Sequence, residues 1–423
     1  TMTETDPATG QVNTHTYTYK DGTYYFDPDQ PTDRKFAGFG TVVDSTSTKT
    51  VTTYYHTGSG VGSAPGLYKD SRAKIGRAYR EDIADLNGAI MKTTYTKWDG
   101  ANTRFGGTHV RPISVLARLY DKTPVDTATS YTYEDETGDV QTETKYGKVF
   151  GDDEGDFSDD TADTARVTRY TYAVDTTGTI RAPSEIIHKD KKGTVAEITK
   201  YYYDTMPFGV LRNASITATE QAVEPGVFIK QSYIYDPLFG VMTSSTDGLG
   251  NTTTYTYDTH GLYPIQTTNP IGHTIRATYD YSIGKPLSIV DQNNNTTTYT
   301  YDPLGRTLTT TTPDPQTAAP ALQSATTYDD TPGARFIQTV QYRDQGNSTI
   351  NTIYLDGFDR QVQKNTQTDK DFVTSWTTYT PEGLAAIQTL PVSVGSDVRY
   401  PITTQTELYT TNTYDALGRI IHS

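Results

Sequence analysis

Side chains able to do chemistry are few in this sequence, and they are scattered. The seven histidines stand at 15, 56, 109, 188, 260, 273 and 422. No two are spaced i, i+2 to i, i+4, so no zinc motif is visible. His260 and His273 fall in or beside turns of neighbouring half-repeats, with no third ligand near, and read as turn or surface residues. The run Gly151-Asp152-Asp153-Glu154-Gly155-Asp156-Phe157-Ser158-Asp159-Asp160 is acidic. Clustered carboxylates are what calcium takes. The spacing lacks the alternating Asp/Asn and sixth-position Gly of an EF-hand, so the run is expected to be a solvated insertion at a turn. There is no Gly-x-Ser-x-Gly elbow and no Walker loop. Gly38-Phe39-Gly40 is too short for a dinucleotide fingerprint. Paired carboxylates abound, but an acidic chain brings them together by chance. The expectation is no catalytic, cofactor-binding or metal residue, and no cofactor.

One pair recurs too regularly for chance. Tyr235-Asp236, Tyr257-Asp258, Tyr279-Asp280 and Tyr301-Asp302 place their Asp residues 22, 22 and 22 apart. A Tyr ring with an Asp anchor would suit a stacked sugar. A binding site needs one special unit, however, and this pair is uniform. It reads as structural, with Tyr packing on the next strand's Tyr and Asp capping a turn.

A fixed period of this size is the mark of a repeat array. Within it, Gly250, Gly261, Gly272, Gly284, Asn294 and Gly305 lie 11, 11, 12, 10 and 11 residues apart. Gly and Asn adopt positive φ most easily, so these are turns. The segments between them are rich in Thr, Tyr, Ile and Val, which form strands. In Thr254-Tyr255-Thr256-Tyr257 the Tyr rings take one face and the Thr side chains the other. Asp starts each turn by accepting a backbone N–H two residues on. No apolar 3.6-residue period survives, so no helix is expected.

Earlier segments follow the same rhythm less strictly. His15 to Tyr19 alternates, with a turn expected at Lys20-Asp21-Gly22 and another at Asp27-Pro28-Asp29. Strands follow over Arg34 to Val43 and Val51 to His56. Gly58 to Gly66 reads as loop. Ser71 to Lys74 and Glu81 to Leu86 have some helical character, but Ile75 to Gly88 reads better as strand, turn, strand. Met91 to Trp98 is a strand closed by Asp99-Gly100. Strands are expected over Arg166 to Ala173, on to His188 and on to Asp204, with turns at Gly178 and Lys192-Gly193. The 32 residues from Asp204 to Asp236 leave room for a longer connection or an extra hairpin. After Asp302 the period loosens, with a Pro/Ala-rich loop over 313–321. Tyr354 to Arg360 and Tyr379 to Gly383 are degenerate copies of the unit.

Composition sets the class. The 423 residues are only 34% hydrophobic, and that share includes 34 Tyr. Aliphatic content is too low for a large dry core. Tyr, with an apolar body and a wet hydroxyl, suits a sheet around a solvated cavity better. Net charge of −15 argues against a nucleic-acid groove, and the absence of Cys excludes disulfides and thiolate chemistry. No run of about 18 apolar residues exists, so no membrane span is expected. The N-terminus, Thr1-Met2-Thr3-Glu4, carries no signal-peptide pattern, and both ends look cut from something longer.

Tyr301-Asp302-Pro303-Leu304-Gly305-Arg306 and Tyr414-Asp415-Ala416-Leu417-Gly418-Arg419 are two copies of Tyr-Asp-x-x-Gly-Arg. They resemble the YD-repeat, or RHS-repeat, family. The stretch from Arg34-Lys35-Phe36-Ala37-Gly38-Phe39 to Tyr55-His56 resembles the start of the repeat region in SpvB-like and TcB-like subunits of bacterial toxin complexes. The resemblance implies an all-β array of antiparallel hairpins that forms part of a hollow spiral shell. Residues 1–230 would be its degenerate, SpvB/TcB-like part. Residues 231–423 would be the YD repeats, regular at 231–310, in one continuous array. The implied role is non-catalytic enclosure of a toxic or unfolded polypeptide. Its partners would be the rest of the shell and that cargo, and its parent would be secreted or displayed on a cell surface. The family's Asp-Pro-rich self-cleaving site is not matched, since the sequence is read as ending before any such segment, and Asp314-Pro315 and the other Asp-Pro pairs read as turn residues. The rival readings are a teneurin-type adhesion module that binds carbohydrate, a hydrolase grafted on 57–90 or 151–160, and a propeller with a blade of about 44 residues.

Overall fold

The structure is a computed structural model. It describes residues 1–6, 10–26, 32, 34–58, 64–102, 108–120, 123–160, 165–314, 317, 319–344, 347–399 and 408–422. The chain divides into two compact units. One holds Thr1–Thr3, Thr14–Lys230 and Tyr414–Arg419, and the other holds Glu4–Asn13, Gln231–Thr413 and Ile420–Ser423. Among the described residues the only helical element is a single 3-10 turn, Arg72–Lys74, and the rest of the regular structure is strand. Among the described residues thirty strands belong to one sheet.

The repeats of the second unit show why the sequence folds this way. Thr252–Tyr257 alternates exposed and half-buried, with Tyr255 and Tyr257 on the half-buried face. Thr296–Tyr301 repeats that pattern residue for residue. Each strand pairs antiparallel with the next, Thr254 opposite Thr268 and Ser288 opposite Thr298. The ladder slips by one residue immediately before each Tyr-Asp turn, at Ile234/Tyr235, Thr256/Tyr257, Thr278/Tyr279 and Thr300/Tyr301. Such a bulge adds local twist and leaves a gap in the ladder. Pro264 and Pro286, which lack an N–H, sit opposite the bulged Tyr257 and Tyr279, where no ladder donor is required.

The first unit uses the same plan with longer strands. Arg166–Val174, Arg181–Asp190 and Val195–Tyr203 form the expected succession. Between Asp204 and Asp236 lie both a connection and an extra hairpin, Ile216–Glu224 with Val227–Tyr235. The connection winds on the Asp204 carboxylate, which accepts the backbone N–H groups of Arg212, Asn213, Ala214 and Ser215. Among the described residues dry packing is limited to small clusters. Tyr95, Leu116, Ala128 and Val149 form one, and Ala173, Tyr203 and Leu211 another.

Two expectations are corrected. Lys20-Asp21-Gly22 is no turn, because Val12–Phe26 runs through it as one strand. Asp21 instead takes φ +56 within the strand. A Cβ on Gly22 would meet the Phe39 ring at 3.3 Å, so the glycine serves a close approach. Asp99-Gly100 likewise lies inside Ile90–Asn102, paired with Arg111 and Val110. The acidic run 151–160 lies at a turn, with Asp152, Asp153, Glu154 and Asp156 exposed. It closes a hairpin of Val140–Gly151 with Phe157–Asp159, and its buried Gly155 lies so close to Tyr95 that a Cβ would stand 2.8 Å from it. The expected turn at Asp27-Pro28-Asp29, residues 59–63 of the Gly/Ser loop and Pro315 of Asp314-Pro315 lie outside the described residues.

Candidate functional site

The recurring Tyr-Asp turn is where the chain concentrates its specific side-chain geometry. In Tyr301–Arg306 the Asp302 Oδ1 accepts the N–H groups of Leu304 at 3.0 Å and Arg306 at 2.8 Å. Gly305 closes the turn at φ +77. Arg306 returns its Nε to Asp302 at 2.6 Å and extends its two terminal nitrogens to Asp330, at 3.0 and 2.8 Å. Its guanidinium lies 4.2 Å over the ring of Tyr328, the Tyr of the next Tyr-Asp pair. The degenerate copy works the same way, with Arg360 bonded to Asp356 and lying over Tyr379. The intervening turns use Asp247, Asn269 and Asp291 in the same role, and Asn294 takes the positive φ that Gly250 and Gly272 take elsewhere. At Tyr379 the hydroxyl of Thr380 stands in for the carboxylate.

The Tyr hydroxyl has a role that pattern reading missed. It donates to the backbone carbonyl opposite the bulge of the preceding repeat. Tyr279 reaches Pro264, Tyr301 reaches Pro286 and Tyr328 reaches Thr307. Tyr133 reaches Pro112, Tyr172 reaches Val140, Tyr203 reaches Pro183, and Tyr379 reaches Gln361. Trp98 does the same with its indole N–H on Ala78. Each acceptor is the residue paired with the previous bulged position. The aromatic side chain thus fastens one repeat to the next at the point where the ladder is interrupted. Burial pushes the hydroxyls of Tyr133, Tyr203 and Tyr301 above their ordinary pKa, so they remain protonated donors. Two signals in the sequence mark most of these staples: an aromatic residue immediately before Asp, and Pro inside a strand; Tyr172 and Tyr379 carry neither.

Removing one staple tests this reading. Tyr301→Phe deletes the 2.6 Å bond to Pro286 and is expected to cost about 1 kcal/mol. The check is urea unfolding followed by the fluorescence of Trp376, since Trp98 lies in the other unit. An unchanged midpoint would mean that water replaces the hydroxyl.

The turn carboxylates also couple the fold to acid. The Thr177 hydroxyl and then backbone N–H groups hold Asp175 from its ordinary 3.8 down to about 2. Asp247 and Asp291 are lowered first by the side chains of Asn251 and Asn295. A depressed native pKa contributes stability that is present above the unfolded pKa and lost as pH falls through the native one. The urea midpoint is therefore expected to hold to about pH 4 and to decline towards pH 2. Carbon-13 titration should place the Asp175 carboxyl near 2. Titration at the unfolded value would remove the cause.

The scattered candidates remain apart. His15 pairs with Asp44, His188 with Thr168, and His260 meets the Tyr281 ring edge-on. His56 is fully buried beside Asp70, and burial lowers its pKa. In the acidic run Asp153 pairs with Arg118, Asp156 with Lys97 and Asp159 with Lys191, so these carboxylates serve cations of the chain. Among the described residues no group of three or more His, Asp or Glu could hold a metal. No helix there is long and apolar enough to cross a membrane.

Fold and turn geometry together define an all-β hairpin-repeat protein. The RHS-repeat model matches residues 279–317, the stretch with two of the staples. The crystal structure of TcdB2-TccC3 matches with TM-score 0.72 and 13% identity, over 98% of this chain and 30% of that one. The same complex without its hypervariable C-terminal region gives 0.73 and 13%, over 99% and 32%. The Photorhabdus luminescens Tc holotoxin pore gives 0.74 and 12%, over 98% and 32%. This chain therefore spans about a third of the length of the chains it matches. Among curated proteins none matches. Residues 279–317 thus carry an RHS repeat, and the fold of the chain is that of the TcdB2-TccC3 chains it matches.

Proposed function

We propose that this chain is a non-catalytic stretch of wall in a toxin-complex shell, and that the wall isolates a toxic or unfolded polypeptide before delivery. The observation that carries the reading is the staple. Side chains fasten successive repeats where the backbone ladder is broken, so a sheet built this way offers a protease few loose segments. A second observation supports it. Apolar strand residues such as Ile229, Ile234, Ile265, Ile275 and Leu287 stand exposed to solvent. Much of the sheet is thus bare, as a wall with two solvated faces requires. The partners would be further shell repeats and the enclosed chain, and the parent would be exported.

The test is trypsin digestion of the natural gene product. A segment outside this wall should resist cleavage while the sheet is folded and be cut once urea opens it. Equal cleavage in both conditions, or no such segment, would overturn the enclosure reading. An adhesion role is favoured by one feature, a row of exposed rings with Tyr19 on Phe39, Phe39 on Phe36 and Phe36 on Tyr24. Saturable binding on a glycan array that Tyr24→Ala abolishes would establish that role instead.

A further inference from the structure

One histidine stands apart from the other six. His56 is fully buried, whereas His15 is half-buried and His109, His188, His260, His273 and His422 are exposed. We propose that His56 and Asp70 form an acid-sensitive latch, which holds the segment 64–77 down on the Tyr79 and Tyr95 rings and releases it when the imidazole takes up a second proton.

The latch sits just past the strand Thr50–Tyr55. The His56 N–H donates to the Arg77 carbonyl at 2.9 Å, and the His56 carbonyl accepts the Gly76 N–H at 3.0 Å. Asp70 Oδ1 meets His56 Nδ1 at 3.0 Å and also accepts the Gly58 N–H at 3.0 Å. The segment it holds is closely packed. A Cβ on Gly66 would stand 2.6 Å from the Tyr95 ring and 3.6 Å from that of Tyr79, so bare backbone lies on both rings. Tyr79 and Tyr95 are only 5% and 2% exposed.

Hydrogen bonding fixes the state of the imidazole. A carboxylate only accepts, so Nδ1 carries the proton and Nε2 keeps its lone pair. Nε2 is buried and has no partner among the described residues. A bare lone pair forgoes one hydrogen bond. A proton on Nε2 would instead create a buried, charged N–H with no acceptor, which costs far more. The charged and titratable groups around the ring do not reverse this. Asp70 favours the charged ring, and the buried Lys74 of the 3-10 turn opposes it. Tyr79 faces the imidazole with ring centroids 5.2 Å apart, and Tyr54, Arg80 and Asp21 act on the Tyr79 hydroxyl. Burial is the largest influence, and with Lys74 it outweighs Asp70 and holds His56 below its ordinary 6.5.

Once the segment lifts, the imidazole meets water and takes its proton at the ordinary value. The open form then binds more protons than the closed form. Closure is therefore at full strength above about pH 6.5 and weakens as pH falls from there towards the closed-state pKa. The turn carboxylates act below about pH 4, in a separate window.

The test is amide exchange of the full chain from about pH 8 to about pH 5, expressed as protection relative to the free-chain rate at each pH. Protection of the His56 and Gly76 amides is expected to be flat above about pH 6.5 and to fall by up to about tenfold per pH unit below it. Protection across 252–301, in the other unit, should not change. His56→Gln keeps a donor for Asp70 but takes no proton, and should remove the slope. Should that variant fail to fold, the nitrogen-15 shifts of the His56 imidazole in the unsubstituted chain decide. They should report a neutral ring, protonated at Nδ1, at a pH where free imidazole is mostly charged. Protection that stays flat to about pH 5, a slope that survives in His56→Gln, or an imidazole that charges at about pH 6.5 or above with the segment still protected would each overturn the latch.

Discussion

Asp356→Ala is expected to destabilise the second unit by about 3 kcal/mol, the low end of the cost of breaking a buried ion pair. Asp356 is fully buried. Its Oδ1 accepts the N–H groups of Phe358 and Arg360, both at 2.9 Å, and its Oδ2 accepts Arg360 Nε at 2.6 Å. Truncation removes all three bonds and leaves a guanidinium that is only partly exposed. That guanidinium would retain Gln11 at 3.0 Å and Asp6 at 3.9 Å. Both come from the N-terminal segment, which also caps Gly357 N–H through Asp6. The low end of the range applies because these groups offer partial compensation. Asp356→Asn keeps the Oδ1 acceptor and should recover part of the loss. The measurement is the urea midpoint from Trp376 fluorescence, with near-zero change at Trp98. A loss below about 1 kcal/mol would show that Asp6 replaces Asp356 as the counter-charge. Asp302→Ala, at the same place in a more exposed turn, should lose less.

The contrast between these two aspartates marks what the sequence could and could not reveal. Turn chemistry is local. An Asp that accepts N–H groups two and four residues on, with Gly or Asn at positive φ, is written in five consecutive letters, so the 22-residue array was legible. Strand faces were legible too, because Thr/Tyr alternation has the period of the sheet. The staples span 15 to 32 residues and depend on register, so no local pattern contains them. The same local rule misled at Lys20-Asp21-Gly22 and Asp99-Gly100. There the ladder continues past residues that would otherwise turn, and the extra freedom is absorbed within a strand. Asp6 meets Gly357 across 351 residues of chain, and only tertiary structure can bring them together.

Leu116→Ala is expected to cost the first unit about 3–4 kcal/mol, in the upper half of the range for a buried Leu truncation. Leu116 is fully buried among Tyr95, Ala128 and Val149, with Tyr146 and Phe157 beside them. Its Cδ2 lies 2.7 Å from where a Cβ on Gly151 would stand, so it packs against bare backbone. The site has little freedom to collapse. Leu116 is held between Tyr95 and Ala128 in the ladder, and the strands cannot close over the void without breaking register. The residual cavity should therefore remain open, which is what makes such truncations expensive. The loss should also be local, because a repeat in such an array contacts mainly its neighbours. Amide exchange in Leu116→Ala is expected to accelerate across 91–151 and to stay unchanged across 252–301. Uniform acceleration would mean that the array unfolds as one cooperative body. A wall of that kind would open everywhere when damaged at one point, whereas a wall of locally stabilised repeats confines the damage to the strands around the missing side chain.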